Sequence, residues 1–275
     1  MSPAAYESGD ICGNVIKIKE CEVVKMEFEN KTILISGGAS GLGFLCGKCF
    51  AKEGAAVVLA DINKEALDEK VGEIRADGGK AEAAVVDVRN YEQVCAARDL
   101  AVEKFGSLDV VVNCAGGAEV RMCNAYHYGE FKDIPIDVYD WGIDVNLKGQ
   151  LYLDHAAMKQ MAEQKSGVII NIGSITGEEG CDTNVAYSSA KSGAMNGLTK
   201  SLALYGARYN VRVCCVSPGP VMTRPGMAAM KTLIGRAAEP KEIVDLIMYL
   251  ASDKAAFITG INVLADGGRN IMRNK

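Results

Sequence analysis

The sequence predicts a doubly wound α/β fold, one parallel sheet of seven strands with helices on both faces. Three observations carry that prediction. Short β-rich apolar runs recur from residue 32 to residue 268, with helix-length patterns between them. Most of the runs are continuous rather than alternating, which marks strands buried on both faces. No Pro/Ser-rich linker and no repeat interrupts the series, so residues 26–275 are expected to form one domain behind an extension, residues 1–25.

The strands follow in order. They are "TILISG" (32–37), "AVVLAD" (56–61), "AEAAVVDV" (81–88), "LDVVVNCAG" (108–116), "GVIINIGS" (167–174), "VRVCCVSPG" (211–219) and "NVLADGG" (262–268). Between them, residues 41–53, 64–76, 91–105, 138–164, 186–207 and 240–251 carry helical patterning. Cys214 and Cys215, adjacent in the sixth run, are expected to face opposite sides of the sheet. Two segments stand outside the pattern. Residues 11–24 have strand-like alternation and read as an added hairpin or as the product of an upstream start. Residues 117–136 form a long polar and aromatic excursion, of the length that a lid or an interface arm has.

Composition narrows the function. The formal net charge of −5, with no Lys/Arg block, argues against nucleic acid as a partner. No apolar run has the roughly 18 residues of a membrane span, and the acidic residues Glu7, Asp10, Glu20 and Glu22 argue against an export signal. A cytoplasmic protein is expected. Ten cysteines in a reducing compartment read as small hydrophobes. Cys46 and Cys49 form a C-x-x-C inside a helical stretch without a second pair, and the two histidines, His127 and His155, are far apart, so no metal site is expected.

"ILISGGASGLG" is a strand entering a Gly-rich turn and then a helix. Gly37, Gly41 and Gly43 let the backbone bend and approach a pyrophosphate, which the free N–H groups of the helix start would bind. Asp61 ends the next strand, where a carboxylate accepts hydrogen bonds from both adenosine ribose hydroxyls and repels a 2′-phosphate. Ser40 brings no basic side chain for such a phosphate. NAD is therefore the expected cofactor. In "AYSSAKSG" (186–193), Tyr187 and Lys191 project from one helix face, a phenol and a cation one turn apart.

These residues resemble the short-chain dehydrogenase/reductase family, over about residues 28 to 268. "SGGASGLG" resembles its Thr-Gly-x-x-x-Gly-x-Gly motif, with Ser36 in place of the threonine. "VVNCAGG" resembles its Asn-Asn-Ala-Gly motif, with Cys114 in place of the second asparagine. "DVNLKG" supplies Asn146, "NIGSITG" supplies Ser174, "YSSAK" supplies Tyr187 and Lys191, and "SPGPVMT" supplies Pro218, Gly219, Val221 and Thr223. The resemblance implies a Rossmann-type fold and an NAD-dependent oxidoreductase interconverting a secondary alcohol and a ketone. It makes Tyr187 the general acid/base and gives Ser174 the substrate oxygen. Lys191 would bind the nicotinamide ribose and lower the tyrosine pKa, and Asn146 would kink its helix and hold a water. The implied cofactor contacts are Ser36, Gly37, Ser40, Gly41, Leu42, Gly43, Asp61, Ile62, Asp87, Val88, Asn113, Ala115 and Gly116. Tyr187, Lys191, Pro218, Gly219, Val221 and Thr223 complete them.

Three loops are expected to read the substrate. "ITGEEGCDTNV" offers Glu178, Glu179 and Asp182; the excursion offers Arg121, Tyr126, His127 and Tyr128; the segment after Thr223 offers Met227 and Met230. The carboxylates point to a polyol or sugar derivative, which is the leading expectation, and the methionines and tyrosines to a hydroxysteroid as the alternative. A 3-oxoacyl thioester is a third reading, against which the NAD signal at Asp61 counts. A dinucleotide sensor without turnover belongs to another class, and the presence of all four catalytic residues argues against it. Family members assemble through helices like 91–105, 138–164 and 186–207, so a homotetramer, or else a dimer, is expected, with the tail 269–275 against a neighbour.

Overall fold

The chain, seen as a computed structural model, is described for residues 26–119, 130–223 and 225–273. Its elements are β1 (Thr32–Ser36), α1 (Gly41–Lys52), β2 (Ala56–Asp61), α2 (Lys64–Ala76), β3 (Lys80–Val85), α3 (Tyr91–Phe105) and β4 (Val110–Asn113). They continue as α4 (Ile136–Ile143), α5 (Gly149–Gln164), β5 (Gly167–Ile172), α6 (Thr176–Glu179), α7 (Val185–Gly193), α8 (Thr199–Gly206), β6 (Val211–Pro218), α9 (Pro240–Ala251) and β7 (Asn262–Ala265). All seven strands lie in one parallel sheet of order β3-β2-β1-β4-β5-β6-β7. The order reverses between β1 and β4, and the crevice beyond their C-terminal ends is where such sheets take a ligand.

Alternation along each strand fills two cores. Ile33 and Ile35 of β1 pack with Val57, Val112, Ile170 and Val216 under α1 and α9, where Phe50, Ile243 and Ile247 meet them. Leu34 points the other way, with Val58, Val111, Ile169 and Val213, toward Leu153 and Met161 of α5. Each such fully buried aliphatic contributes about 1.5–3 kcal/mol. Cys214 belongs to the first core, while Cys215 is buried outside it, so the expected opposition holds. Helix starts follow local chemistry: Asn63 and Asn90 accept from the amides of Ala66 and Gln93, each at 3.1 Å, and Glu239 and Glu242 form a capping box around Pro240. α3 stops at Gly106, which has φ 88°.

Boundaries differ from the sequence expectation in two ways. Six of the seven runs end earlier than expected, three of them by three residues, at Val85, Asn113 and Ala265; beyond the first two, Asp87, Val88, Ala115 and Gly116 line the crevice instead of pairing. The helices expected at 138–164 and 186–207 are each interrupted by a π-helical turn, Asp144–Lys148 and Ala194–Leu198. The extension 1–25 and Arg121, Tyr126, His127 and Tyr128 lie outside the described residues.

Candidate active site

A cavity of about 560 Å³ opens over the C-terminal ends of β1, β2 and β4. Gly37, Ser40, Gly41, Leu42, Gly43, Asp61, Ile62, Asp87, Val88, Ala115, Gly116 and Thr223 line it, as expected from the sequence. The Gly-rich turn is built for close approach: Gly37 has φ +69°, and a Cβ on Gly43 would stand 2.2 Å from the carbonyl oxygen of Gly37. Ser40 precedes α1 without capping it by its side chain, and no acidic residue occupies the first turn, so the N–H groups there suit an anion. Asp61 is held by the amides of Ala39 (3.2 Å) and Asn63 (3.1 Å) on opposite carboxylate oxygens. These features fit a dinucleotide.

Other expected cofactor residues stand behind that wall. Ser36 is buried and accepts from the Ala115 amide at 3.2 Å, tying β1 to the loop after β4. Asn113 is buried and donates to Asp154 (2.6 Å) and Asn171 (2.9 Å). Val221 is buried and bridges to Ala238, and Pro218 ends β6, where its carbonyl accepts from Ile175. Gly219 lies against Asp266 so closely that a Cβ would meet the Asp266 Cα at 2.6 Å. Arg89, which the sequence reading passed over, also lines the cavity and grips Asp87 with bonds of 2.6–3.1 Å; that guanidinium holds the Asp87 carboxyl below its usual range.

The four catalytic candidates come from three parts of the chain, and two of them meet at Gly116, where a Cβ would stand 2.6 Å from the Asn146 Oδ1 and 3.5 Å from the Lys191 Nζ. Lys191 is buried, and its Nζ donates to the carbonyl of Ile172 at 2.7 Å and lies 5.7 Å from the centre of the Tyr187 ring. Burial lowers its pKa to about 8, and no carboxylate among the described residues offsets the lost hydration. Ser174, in the loop after β5, is buried; its Oγ accepts from the hydroxyl of Thr176 (3.0 Å) and the Thr176 amide (3.3 Å). With both donors already aimed at that oxygen, the Ser174 proton is directed elsewhere.

Asn146 explains the first π-helical turn. Its Nδ2 donates to the carbonyls of Gly142 and Gly117, both at 2.8 Å, and its Oδ1 accepts from the Gly117 amide at 2.9 Å. The side chain thus takes a helical carbonyl one turn back, while the Gly149 amide reaches the Asp144 carbonyl five residues back. Gln150, one turn on, donates to the carbonyls of Asn146 (2.9 Å) and Ile172 (3.1 Å), so it shares with Lys191 the same acceptor.

Sequence reasoning missed several residues of this neighbourhood. Glu119 is buried at the root of the excursion and accepts from the amides of Ala186 (2.9 Å) and Tyr187 (3.0 Å). Asp154 is fully buried on α5, and desolvation pushes its carboxyl up to about 7. Arg269 pairs with Glu179 at 3.2 Å, both side chains largely shielded, and also donates to the Lys231 carbonyl at 3.1 Å. Glu179, expected as a substrate carboxylate, is therefore held by an arginine, while Glu178 and Asp182 face solvent. An acid at 119 or 154 carries no periodic signal; only the register of distant elements buries it. Among the described residues no cluster of three or more His, Cys, Asp or Glu could hold a metal ion, and no helix is long and apolar enough to cross a membrane.

Fold and site together define a Rossmann-type oxidoreductase. Residues 37–270 match the family model described as enoyl-(acyl carrier protein) reductase. The chain belongs to the short-chain dehydrogenase/reductase family. It is 40% identical over 255 residues to trans-4-hydroxycyclohexanecarboxylate dehydrogenase of Sinomonas cyclohexanicum, covering 89% of this chain and 94% of that one. It is 35% identical over 253 residues to cyclohexanol dehydrogenase of Acinetobacter sp., covering 90% and 97%. Among solved structures, a 3-oxoacyl-[acyl-carrier protein] reductase with bound NAD from Brucella melitensis superposes with a TM-score of 0.80 at 28% identity, covering 89% of this chain and 92% of that one.

Proposed function

We propose that this protein is an NAD-dependent dehydrogenase that interconverts a cyclic secondary alcohol and its ketone. The observation that carries the reading is the buried Lys191 Nζ, 5.7 Å from the centre of the Tyr187 ring and packed with the Asn146 Oδ1 around Gly116, which lines the dinucleotide cavity. Bound NAD supplies the hydride acceptor. The residues of the chain handle the proton. Ser174 gives its free proton to the substrate oxygen as a hydrogen bond. Tyr187 takes the alcohol proton as a phenolate. A phenol titrates near ~10 in water, and lowering it by roughly three units needs about 4 kcal/mol of differential stabilisation. The Lys191 ammonium, buried 5.7 Å from the ring, is placed to supply a large share in a poorly solvated cleft.

NAD rather than NADP is supported by the Asp61 carboxylate, held in the cavity wall by two amides, where it would accept from ribose hydroxyls and repel a 2′-phosphate. The cyclic alcohol is supported by the relatives and by Glu179, whose engagement with Arg269 takes away one of the carboxylates a polyol would use. We assign the protein to the reducing cytoplasm, in keeping with seven free cysteines among the described residues. Homotetramer formation, with a dimer as the other assembly, is supported by exposed Leu151 on α5, Leu204 and Tyr205 on α8, and Phe257 beyond α9. The test is NADH formation with cyclohexanol, cyclopentanol and 4-hydroxycyclohexanecarboxylates, beside polyols, hydroxysteroids and 3-oxoacyl thioesters, repeated with the NADP couple. Turnover confined to cyclic alcohols with NAD is expected. Turnover confined to another class, or to the NADP couple, overturns the assignment.

A further inference from the structure

Glu119 is a buried acid that pairs with no cation among the described residues, and its two oxygens are spent on the start of the helix that carries Tyr187 and Lys191. One oxygen takes the amide of Ala186 at 2.9 Å; the other takes the amide of Tyr187 at 3.0 Å. The Asn184 side chain, at the cap position of α7, makes no capping bond, so a residue 67 positions away supplies the cap that the local sequence does not. The approach depends on Gly142, where a Cβ would meet the Ala186 Cβ at 2.8 Å and the Glu119 Cβ at 3.4 Å. Gly142 also offers its carbonyl to Asn146, so a single turn of α4 seats both Glu119 and Asn146.

We propose that Glu119 is a positioning residue of the dehydrogenase reaction, fixing the first turn of the catalytic helix and setting a negative charge beside Tyr187. The inference rests on Tyr187 being the group that moves the proton. Its physical content is electrostatic as well as mechanical. The positive end of a helix favours a nearby phenolate, and a carboxylate seated there opposes it. Other charges near α7 are accounted for. Lys191 lies on the helix itself, and Lys148 pairs with Asp144 at 2.8 Å on the π-helical turn. On α6, Glu179 pairs with Arg269 and Glu178 is exposed; Asp182 is exposed in the loop before α7, and α4 carries Asp137 and Asp140 at its solvent side. Cys114 and Cys215 face Lys191. Glu119 is the carboxylate that bonds to the Tyr187 backbone.

The test uses the full chain with Glu119→Gln, Glu119→Asp and Tyr187→Phe. Two readouts are taken: the pH profile of kcat/KM for alcohol oxidation, and phenolate absorbance of the NAD-saturated protein, with Tyr187→Phe as the subtracted reference. Removing the charge makes the phenolate easier to form, so Glu119→Gln is expected to move both midpoints to lower pH by about half a unit. Glu119→Asp keeps the charge and retracts it by one methylene; the midpoint stays while kcat falls about tenfold with KM for NAD unchanged. Equal midpoints in wild type and Glu119→Gln overturn the role of Glu119. If Glu119→Gln does not fold, Glu119→Asp decides, and an unchanged kcat overturns it. A titration in which Tyr187→Phe removes no phenolate sinks instead the reading of Tyr187, and the optical readout needs no substrate to say so.

Discussion

The Nζ of Lys191 and the carbonyl oxygen of Ile172, 2.7 Å apart, join α7 to the end of β5, the strand that leads into Ser174. A buried ammonium is thereby satisfied by the backbone rather than by a carboxylate. The site keeps a cation for Tyr187 at the expense of its hydration.

Lys191→Met should separate stability from activity. The folded pKa of about 8 lies below the ordinary 10.5, so between those values the native state binds fewer protons than the unfolded chain. Wild-type stability therefore rises as pH climbs through that window, by an amount on the order of 3 kcal/mol. The methionine variant should lose this rise, melt at or above the wild-type temperature at pH 7, and show at least a hundredfold lower kcat. Thermal melts across pH 7 to 11 and steady-state rates check it.

Asp154→Asn carries the opposite sign. Burial pushes the Asp154 carboxyl up to about 7 in the folded chain from its ordinary 3.8, so the native state holds an extra proton between them. Stability is full below about pH 4, declines as pH rises to 7, and is flat above. Asp154 Oδ2 and Gln150 Oε1, one turn apart on α5, both lack a donor among the described residues, and an acid proton or an asparagine amide at 154 can serve that need. The asparagine variant should match wild type at pH 4 and exceed it at pH 8 by up to about 4 kcal/mol. Urea unfolding at the two pH values measures the difference.

Asp61→Asn should erode the NAD preference. The carboxylate charge that would repel a 2′-phosphate disappears, while an amide can keep the bond to the Ala39 amide through its oxygen. Expected are about tenfold weaker NAD binding and a ratio of NAD to NADP affinity that narrows by more than tenfold. Fluorescence titration with the reduced cofactors gives both numbers, and an unshifted ratio would place Asp61 away from the ribose.

Arg269→Met should act on the alcohol rather than on the dinucleotide. It frees the segment around Lys231 and leaves the shielded carboxylate of Glu179 without its cation, at a cost of about 3 kcal/mol or more. Pairing it with Glu179→Leu should restore the melting temperature without restoring KM for the alcohol. A double variant with wild-type KM would remove any part for the clamp in substrate handling.

Much of this was legible beforehand. The seven apolar runs set the strands, because burial on both faces demands uninterrupted apolar side chains. The Gly-rich turn, Asp61, Ile62, Asp87 and Val88 fell where the sequence put them, since each sits within a few residues of a strand end. Ser36 and Asn113 were legible as motif members but not as structural ones. Both bond to the scaffold, and a linear motif does not say whether a side chain faces the ligand or supports the wall behind it.

What the sequence determined by itself was therefore the local and the periodic: the strands, the helices, the turn at Gly37–Gly43, and Tyr187 with Lys191 one turn apart. What only the tertiary structure decided was where isolated polar side chains end up. Glu119 reaches the start of α7 across 67 residues, Arg269 reaches Glu179 across 90, and Asp154 meets Asn113 across 41. Helical and strand periodicity follow from covalent geometry and can be read along the chain. A buried hydrogen bond between distant elements depends on how the layers pack, and no spacing within either element encodes it.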